Sequence, residues 1–281
     1  MNKRKIINDP VYGFITISSD LIFDLIEHPF FQRLRRIKQL GLADVVYPGA
    51  LHTRFHHALG AMHLMSLAIN SLQEKGHQIW EPEAEAAQAA ILLHDLGHGP
   101  FSHVLESVLM PDVQHESITL VMMKELNRQM KGKLDMAIQM FEGTYPRKFF
   151  HQMISSQLDM DRMDYLKRDS FYTGVIEGSI GADRLIKMLD LSGDQLVVEE
   201  KGLLSIENFL HARRLMYWQV YLHKTVIGAE QLLIKILQRA KDLTASGAAL
   251  FSTPAFHWFL SQQIDRTNFL DNPLHLDWFT R

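Results

Sequence analysis

Three histidines and one aspartate crowd into His94-Asp95-Leu96-Gly97-His98-Gly99-Pro100-Phe101-Ser102-His103. Burying a carboxylate among imidazoles is costly unless a proton or a cation compensates, and such a run around two glycines makes poor core. A divalent metal is the simplest compensator. Neighbouring residues on a helix point about 100° apart, yet at a last turn a long imidazole and a short carboxylate can converge on one ion. The competing reading is a capping Asp beside a surface His, and a lone His-Asp pair would favour it.

Two further stretches hold residues of the same chemistry. His52-Thr53-Arg54-Phe55-His56-His57-Ala58-Leu59-Gly60 opens a helical pattern that Gly76 closes. Leu158-Asp159-Met160-Asp161-Arg162-Met163-Asp164-Tyr165-Leu166-Lys167-Arg168-Asp169 puts Asp161, Tyr165 and Asp169 at i, i+4 and i+8. On a helix these two carboxylates and a phenol share one face, which is either an active-site wall or a solvated surface.

Taken together, the motifs resemble the HD-domain metal-dependent phosphohydrolases, whose pattern is a His, a His-Asp pair and a distant Asp. The resemblance maps that pattern onto His57, His94, Asp95 and Asp161. The match is closer to the deoxynucleoside triphosphate triphosphohydrolases, a family whose animal members join a SAM domain to an HD domain. It runs through Asn8-Asp9-Pro10, Tyr12-Gly13, Phe31-Gln32-Arg33-Leu34-Arg35, Ile37 to Gly41, Pro48-Gly49-Ala50, His52 to Gly60, His94 to His103 and Asp159 to Asp169, and ends at Tyr221, His223 and Lys224.

This resemblance implies attack at the α-phosphorus of a deoxynucleoside triphosphate, releasing deoxynucleoside and intact triphosphate. It places Arg54 on phosphate oxygens near the metal, with Arg162, Tyr165 and Arg213 toward the outer phosphates. Gln39, Asp169 and Tyr221 match positions that contact the deoxyribose, and Leu40 one near the base. Four N/O ligands suit Mn, Fe, Ni, Zn or, less well, Mg. Imidazoles titrate near neutrality, so His98, His103 and His115 are the candidates for proton transfer, His103 foremost. The arginines could equally be surface salt-bridge partners, and His115 a residue that merely starts a helix.

The chain departs from the animal members in several places. Arg162 stands for a Lys, Tyr217 for a His and Leu222 for a Gln near the base pocket. At the family's nucleotide-activator site Glu27 replaces an Asp, while Gln32 and Arg35 match. A nucleotide activator and a homo-oligomer are thus further implications of the resemblance. Two other readings stay open: an HD phosphohydrolase acting on a nucleoside monophosphate or a phosphodiester, and a non-catalytic nucleotide-sensing module.

The elements that must position these residues read as helices. The chain has 281 residues, 47% of them hydrophobic, enough for a substantial core. An all-α HD-domain core with a small β-hairpin element is expected, with the His94-Asp95 and Asp161 helices packed side by side. Helices are predicted near 20–40, 57–75, 82–95, 115–130, 135–141, 146–154, 159–169, 181–190, 205–224, 228–243 and 254–263. Phe14 to Ile17 and Val45 to Tyr47 suit short strands, and Leu196 to Val198 with Leu203-Leu204 suits a hairpin. Residues 1–243 would form the HD phosphohydrolase domain and 244–281 a C-terminal helical extension, with Thr244 to Gly247 as a joint. Members of the family often continue further, so truncation at 281 stays open.

Composition narrows the rest. A net charge of −3 argues against a dedicated nucleic-acid surface, and the absence of Cys rules out disulfides and thiolate ligands. With no secretory h-region and no apolar run near 20 residues, a cytoplasmic location and no membrane are expected. The methionines from Met122 to Met163 sit among Leu and Ile at helical spacing, which favours adaptable core packing over soft-metal binding. Trp218, Phe256, Trp258 and Phe259 read as core or as an oligomer contact.

Overall fold

A computed structural model describes residues 5–17, 19–101 and 103–281, the side chains of His103, Leu270 and Asp271 lying outside the description. It opens with a hairpin, β1 (Lys5–Asp9) and β2 (Gly13–Ile17), in which Lys5 pairs with Ile17 and Asp9 with Gly13. The turn is made by Asp9, whose Oδ1 accepts from the amides of Val11 and Tyr12 at 2.9 and 3.0 Å. Gly13 closes it at φ +75, a backbone region that glycine enters without steric cost.

Residues 20–40 divide rather than forming one helix. Helix α1 (Asp20–Glu27) stops at His28, and α2 (Pro29–Gln32) restarts at Pro29 before a 3₁₀ turn over Arg33–Arg36. Proline clashes with the turn before it and forces the preceding residue to be extended, as His28 is at ψ 138.

The centre of the molecule is α3 (Arg54–Glu74), buried around most of its circumference. The Ala-rich α4 (Glu81–Leu93) packs against it. There follow α5 (His103–Leu109), α6 (His115–Gln129), α7 (Asp135–Glu142), α8 (Lys148–Ile154) and α9 (Met160–Thr173), which also packs on α3. The helices carrying His94-Asp95 and Asp161 therefore both lie against α3, which bridges them, so in place of the expected side-by-side packing they meet through α3. Gly60 makes this approach possible. A Cβ there would lie 1.9 Å from Asp164 Oδ1 and 2.2 Å from Arg168 Nη2, so any side chain would push α9 away.

After α10 (Ala182–Met188) a second hairpin pairs β3 (Leu189–Ser192) with β4 (Gln195–Val198). Leu196 to Val198 does belong to a hairpin, but its partner lies upstream; Leu203-Leu204 instead begins α11 (Leu203–Met216). The expected strand at Val45 to Tyr47 is likewise replaced, by a 3₁₀ turn over Ala43–Val45. Three residues with no strand opposite cannot satisfy their backbone in a sheet. A π-helical turn, Tyr217–Tyr221, breaks the expected 205–224 helix ahead of α12 (Lys224–Ala245). Last come α13 (Pro254–Ser261), α14 (Arg266–Asp271) and α15 (Pro273–Thr280). Among the described residues the fold is all-α with two small antiparallel hairpins. Met122, Met123, Met140, Met153, Met160 and Met163 are all buried in the core, as their spacing predicts. Trp218 is exposed, whereas Phe259 is buried and Phe256 and Trp258 pack against the core.

Candidate metal centre

His57 leaves α3 one turn from its start, and His94 stands at the end of α4, where helix gives way to loop. Their Nε2 atoms face each other at 3.3 Å. Asp161, in the first turn of α9, brings Oδ1 to 3.1 Å from the first and 3.5 Å from the second. One donor atom from each of these three residues falls within a common 4.8 Å.

The ring orientations explain why these atoms converge. Nδ1 of His57 bonds Asp164 Oδ2 at 2.7 Å, and Nδ1 of His94 bonds the Ile91 carbonyl at 2.6 Å. In each ring, donation from Nδ1–H leaves the Nε2 lone pair directed at the shared point. Two such lone pairs 3.3 Å apart repel unless a proton or a cation lies between them. An imidazole whose second nitrogen is held by a carboxylate or a carbonyl is the arrangement that metal ligands usually adopt. The donor set therefore fits a divalent ion.

Asp95 sits beside this point in a different situation. Its Oδ1 lies 3.4 Å from His94 Nε2 and 3.4 Å from His98 Nε2, while its Oδ2 accepts from Arg54 Nη1. Burial would raise its pKa, but Arg54, then His94 and His98, outweigh that and hold it well below the usual carboxylate range. Asp161 is likewise held low: burial opposes ionisation, and His57 and His94 overcome it. The reciprocal effect lifts His57 to about 10, its buried ring being overruled by hydrogen bonds to Asp161 and Asp164. The carboxylates Asp95 and Asp161 and the imidazoles His57 and His94 thus hold one another in place around the candidate ion position.

A further row of charges supports His57 from behind. Asp164 also accepts from Arg168 Nε and Nη2 at 2.9 and 3.0 Å, and Arg168 Nη1 donates to Asp9 Oδ2 at 2.8 Å. Asp164 and Arg168 lie outside the stripe of Asp161, Tyr165 and Asp169 that the sequence suggests. Their signal was available, since Asp164 stands at i+3 from Asp161 and Arg168 at i+4 from Asp164.

The other residues singled out from sequence fall into two groups. Asp169 is buried, with Oδ1 2.7 Å from His52 Nε2 and Oδ2 accepting from the Tyr221 hydroxyl at 2.8 Å. The π-helical turn brings Tyr221 there, with its ring centroid 6.0 Å from that of Tyr165. Gln39 lies beside His52, its amide bonded to the His52 carbonyl at 3.0 Å and its Oε1 buried without a partner. Leu40 is partly buried against the core.

Arg162 is turned toward its own helix start, donating from Nε to the Ser156 carbonyl at 2.7 Å and facing Asp159 at 3.3 Å. Burial raises the Tyr165 phenol to about 12. Arg213 reaches Gln157 at 3.1 Å, away from the donor cluster. His98 is buried against His115, the rings stacked at 3.8 Å, and burial together with Arg54 lowers the His98 pKa. The side chain of His103 lies outside the described residues.

Two more residues fix the loop after Asp95: Thr119, which no motif picks out, and Arg33 of the Phe31 to Arg35 stretch, to which the resemblance gives no role. Thr119 of α6 accepts from the Gly97 amide at 2.9 Å and donates to the His94 carbonyl at 3.0 Å. Arg33 donates to the carbonyls of His98 and Leu96 at 2.8 and 2.9 Å.

Comparisons with known proteins identify the family. The HD domain profile matches residues 54–169, and the HD associated region profile matches 180–253. A crystal structure of a phosphohydrolase from Bacteroides thetaiotaomicron superposes with a TM-score of 0.97 at 60% identity, covering 99% of this chain and 69% of that one. This chain belongs to the HD-domain phosphohydrolase family. It is also 40% identical to the uncharacterized protein YwfO of Bacillus subtilis, over 90% of this chain and 60% of that protein. It is 30% identical to the human deoxynucleoside triphosphate triphosphohydrolase SAMHD1, over 80% of this chain and 42% of that protein. The chain spans about 60% of the length of YwfO and less of SAMHD1. Among the described residues no helix is long and apolar enough to cross a membrane.

Proposed function

We propose that this chain hydrolyses deoxynucleoside triphosphates to deoxynucleoside and triphosphate, using a divalent ion held by His57, His94, Asp95 and Asp161. The observation that carries the reading is the pair of opposed Nε2 atoms at 3.3 Å with Asp161 against both. Such an ion supplies charge neutralisation and makes a water acidic enough to act as a nucleophile near neutral pH. Mn, Fe, Ni, Zn or Mg are the candidates, the two imidazoles favouring the first four.

The chain's own residues do the rest. Arg54, already turned to Asp95, faces the phosphates, and Arg162, Tyr165 and Arg213 meet the outer ones after Arg162 and Arg213 leave their present partners. Cations are needed there because a triphosphate brings about three to four negative charges. Asp169 and Tyr221, braced by His52, hold the sugar, with Gln39 offering its buried amide oxygen and Leu40 lining the base. Water oxygen bonds to the α-phosphorus as the bond to the 5′-oxygen breaks, and that oxygen takes a proton from an imidazole. His103 is the foremost donor, with His98 and His115 as the other candidates.

Two partner readings belong to the same proposal. A cavity of about 490 Å³ lined by Glu27, Gln32, Arg33, Arg36 and Arg281 suits an anionic nucleotide activator, and Arg35 donates to the lining Gln32 at 2.8 Å. Exposed Trp218, Leu222, Leu232, Ile236 and Phe251 provide apolar surface for a homo-oligomer.

Product analysis tests the reaction. With Mn(II) and each of the four deoxynucleoside triphosphates, intact triphosphate is the expected product; release of orthophosphate or no turnover with any divalent ion rejects it. Asp95→Ala should abolish turnover and weaken metal binding. His103→Ala should keep metal and nucleotide binding yet lose roughly 10²- to 10⁴-fold in turnover.

A further inference from the structure

The loop that follows His94-Asp95 is gripped from opposite ends of the chain. On the α6 side a Cβ at Gly97 would lie 2.0 Å from the His115 carbonyl oxygen, and Thr119 accepts from the Gly97 amide. Against Gly99 stands the last helix, α15. A Cβ at Gly99 would meet Phe279 Cε2 at 3.6 Å, an ordinary contact, so the ring lies against the loop backbone. The same ring carries the Arg33 guanidinium, whose Cζ is 4.7 Å from the ring centroid.

Arg33 joins ring to loop. Its Nη1 and Nη2 hold the His98 and Leu96 carbonyls at 2.8 and 2.9 Å, and its Nε is buried without a partner. Among the described residues it pairs with no carboxylate, so two carbonyl oxygens and the π face of Phe279 are what offset the cost of desolvating its charge. A planar fork grips two carbonyls at once in one orientation only, and the ring beneath it sets that orientation.

Aromatic contacts fix Phe279 in turn. His275 is buried, accepts from Trp258 Nε1 at 3.0 Å and stacks on Phe269, whose ring stands perpendicular to Phe279 at 6.1 Å. Phe259 of α13 approaches Phe279 at 6.4 Å. Elsewhere the ring borders open space. It lines the cavity of about 490 Å³ together with Arg33, and another of about 260 Å³ together with Leu105 and Leu109. A ring flanked by two cavities fills little core, and its closest partners are the guanidinium and the loop.

We propose that Phe279 and Arg33 are positioning residues for the metal centre: the ring seats the guanidinium, and the guanidinium fixes the Leu96–His98 segment. Asp95 and His98 thereby stay in register, with Asp95 Oδ1 3.4 Å from both His94 Nε2 and His98 Nε2. The effect on metal affinity rests on the ion position proposed above, whereas the effect on the loop does not.

Hydrogen–deuterium exchange of the metal-free full chain reads the loop, and calorimetric titration with Mn(II) reads the ion. Arg33→Lys keeps a charge but cannot fork to two carbonyls, and Phe279→Leu keeps apolar bulk without a π face. Both should speed exchange at the Gly97 and His98 amides. Mn(II) binding should weaken by roughly 10- to 100-fold in Arg33→Lys and by roughly 3- to 30-fold in Phe279→Leu. Phe279→Tyr, which restores the ring, should match the unaltered protein in both measurements. Phe259→Leu loses similar bulk from the same cluster without touching Arg33, and should also match it. Exchange in Phe279→Leu equal to that of the unaltered protein overturns the proposal, as does equal damage from Phe259→Leu. Should Phe279→Leu fail to fold, unchanged exchange in Arg33→Lys overturns it instead. Absence of Mn(II) binding by the unaltered protein would reject the ion reading, and the exchange comparison would still decide whether Phe279 and Arg33 hold the loop.

Discussion

His57 serves two masters: Nε2 points at the proposed ion position, and Nδ1 is held by a buried carboxylate that itself grips Arg168. Removing the charge of that carboxylate while keeping its shape separates orientation from ligation. Asp164→Asn should weaken metal affinity by roughly 10- to 100-fold, the usual cost of losing such a support. Titration calorimetry with Mn(II) would measure it, and circular dichroism would show the helices intact; unchanged affinity would mean that Asp164 serves packing alone. His57, His94 and Asp161 are legible in the sequence because a motif names them, and the structure brings their donor atoms together. Asp164 is easily missed, because period-four counting from Asp161 lands on Tyr165, and i+3 neighbours share the face equally well. Thr119 carries no signal at all, since it acts on a backbone amide and a carbonyl far away in sequence, and Arg33, though inside a matched stretch, gives no sign of the carbonyls it holds.

Helix α4 must end at a fixed place for His94 to reach α3, and its other end is fixed by Glu83. That carboxylate accepts from the Trp80 amide at 3.0 Å, the Tyr145 hydroxyl at 2.8 Å and Arg147 at 2.6 Å. Burial opposes its ionisation, but these three donors outweigh burial and lower its pKa. A carboxyl with a depressed folded pKa stabilises the fold above its ordinary pKa and loses that contribution as pH falls through the depressed value. Glu83→Gln should therefore cost about 1–3 kcal/mol near pH 7. The gap from the unaltered protein should narrow as pH falls below the ordinary glutamate range, about 4.3, and through the depressed value, so that it is smaller at about pH 3 than at pH 7. Urea unfolding at the two pH values checks this, and a pH-independent gap would contradict it. Most helices are legible from apolar spacing; their interruptions are less so. Pro29 announces one break, whereas the π-helical turn at Tyr217–Tyr221 leaves no mark in the order of residue types.

At the scale of the whole molecule, an ion bound by residues from α3, α4 and α9 would bind the folded chain and not the unfolded one. Ligand at about 100 times its dissociation constant should then add about 2.7 kcal/mol. Calorimetric melts in chelator and in Mn(II) should differ by a few degrees, the metal-loaded protein melting higher. Equal melting temperatures would show that the folded state holds no ion. The all-α class is readable from composition and periodicity, but the central place of α3 is not. It depends on Gly60 admitting Asp164 and Arg168, a contact between residues more than 100 positions apart.

The Asp9–Arg168 ion pair joins residues 159 positions apart, and the chain of contacts from it to His57 crosses nearly the same span. During synthesis the amino-terminal hairpin emerges long before its partner on α9 exists. Loops of this length close slowly, and contacts across them form late in folding. The support for His57, and Asp161 with it, is thus absent from the nascent chain until α9 has left the ribosome, so an ion at the proposed position would be acquired as a closing event of maturation and not as its nucleus.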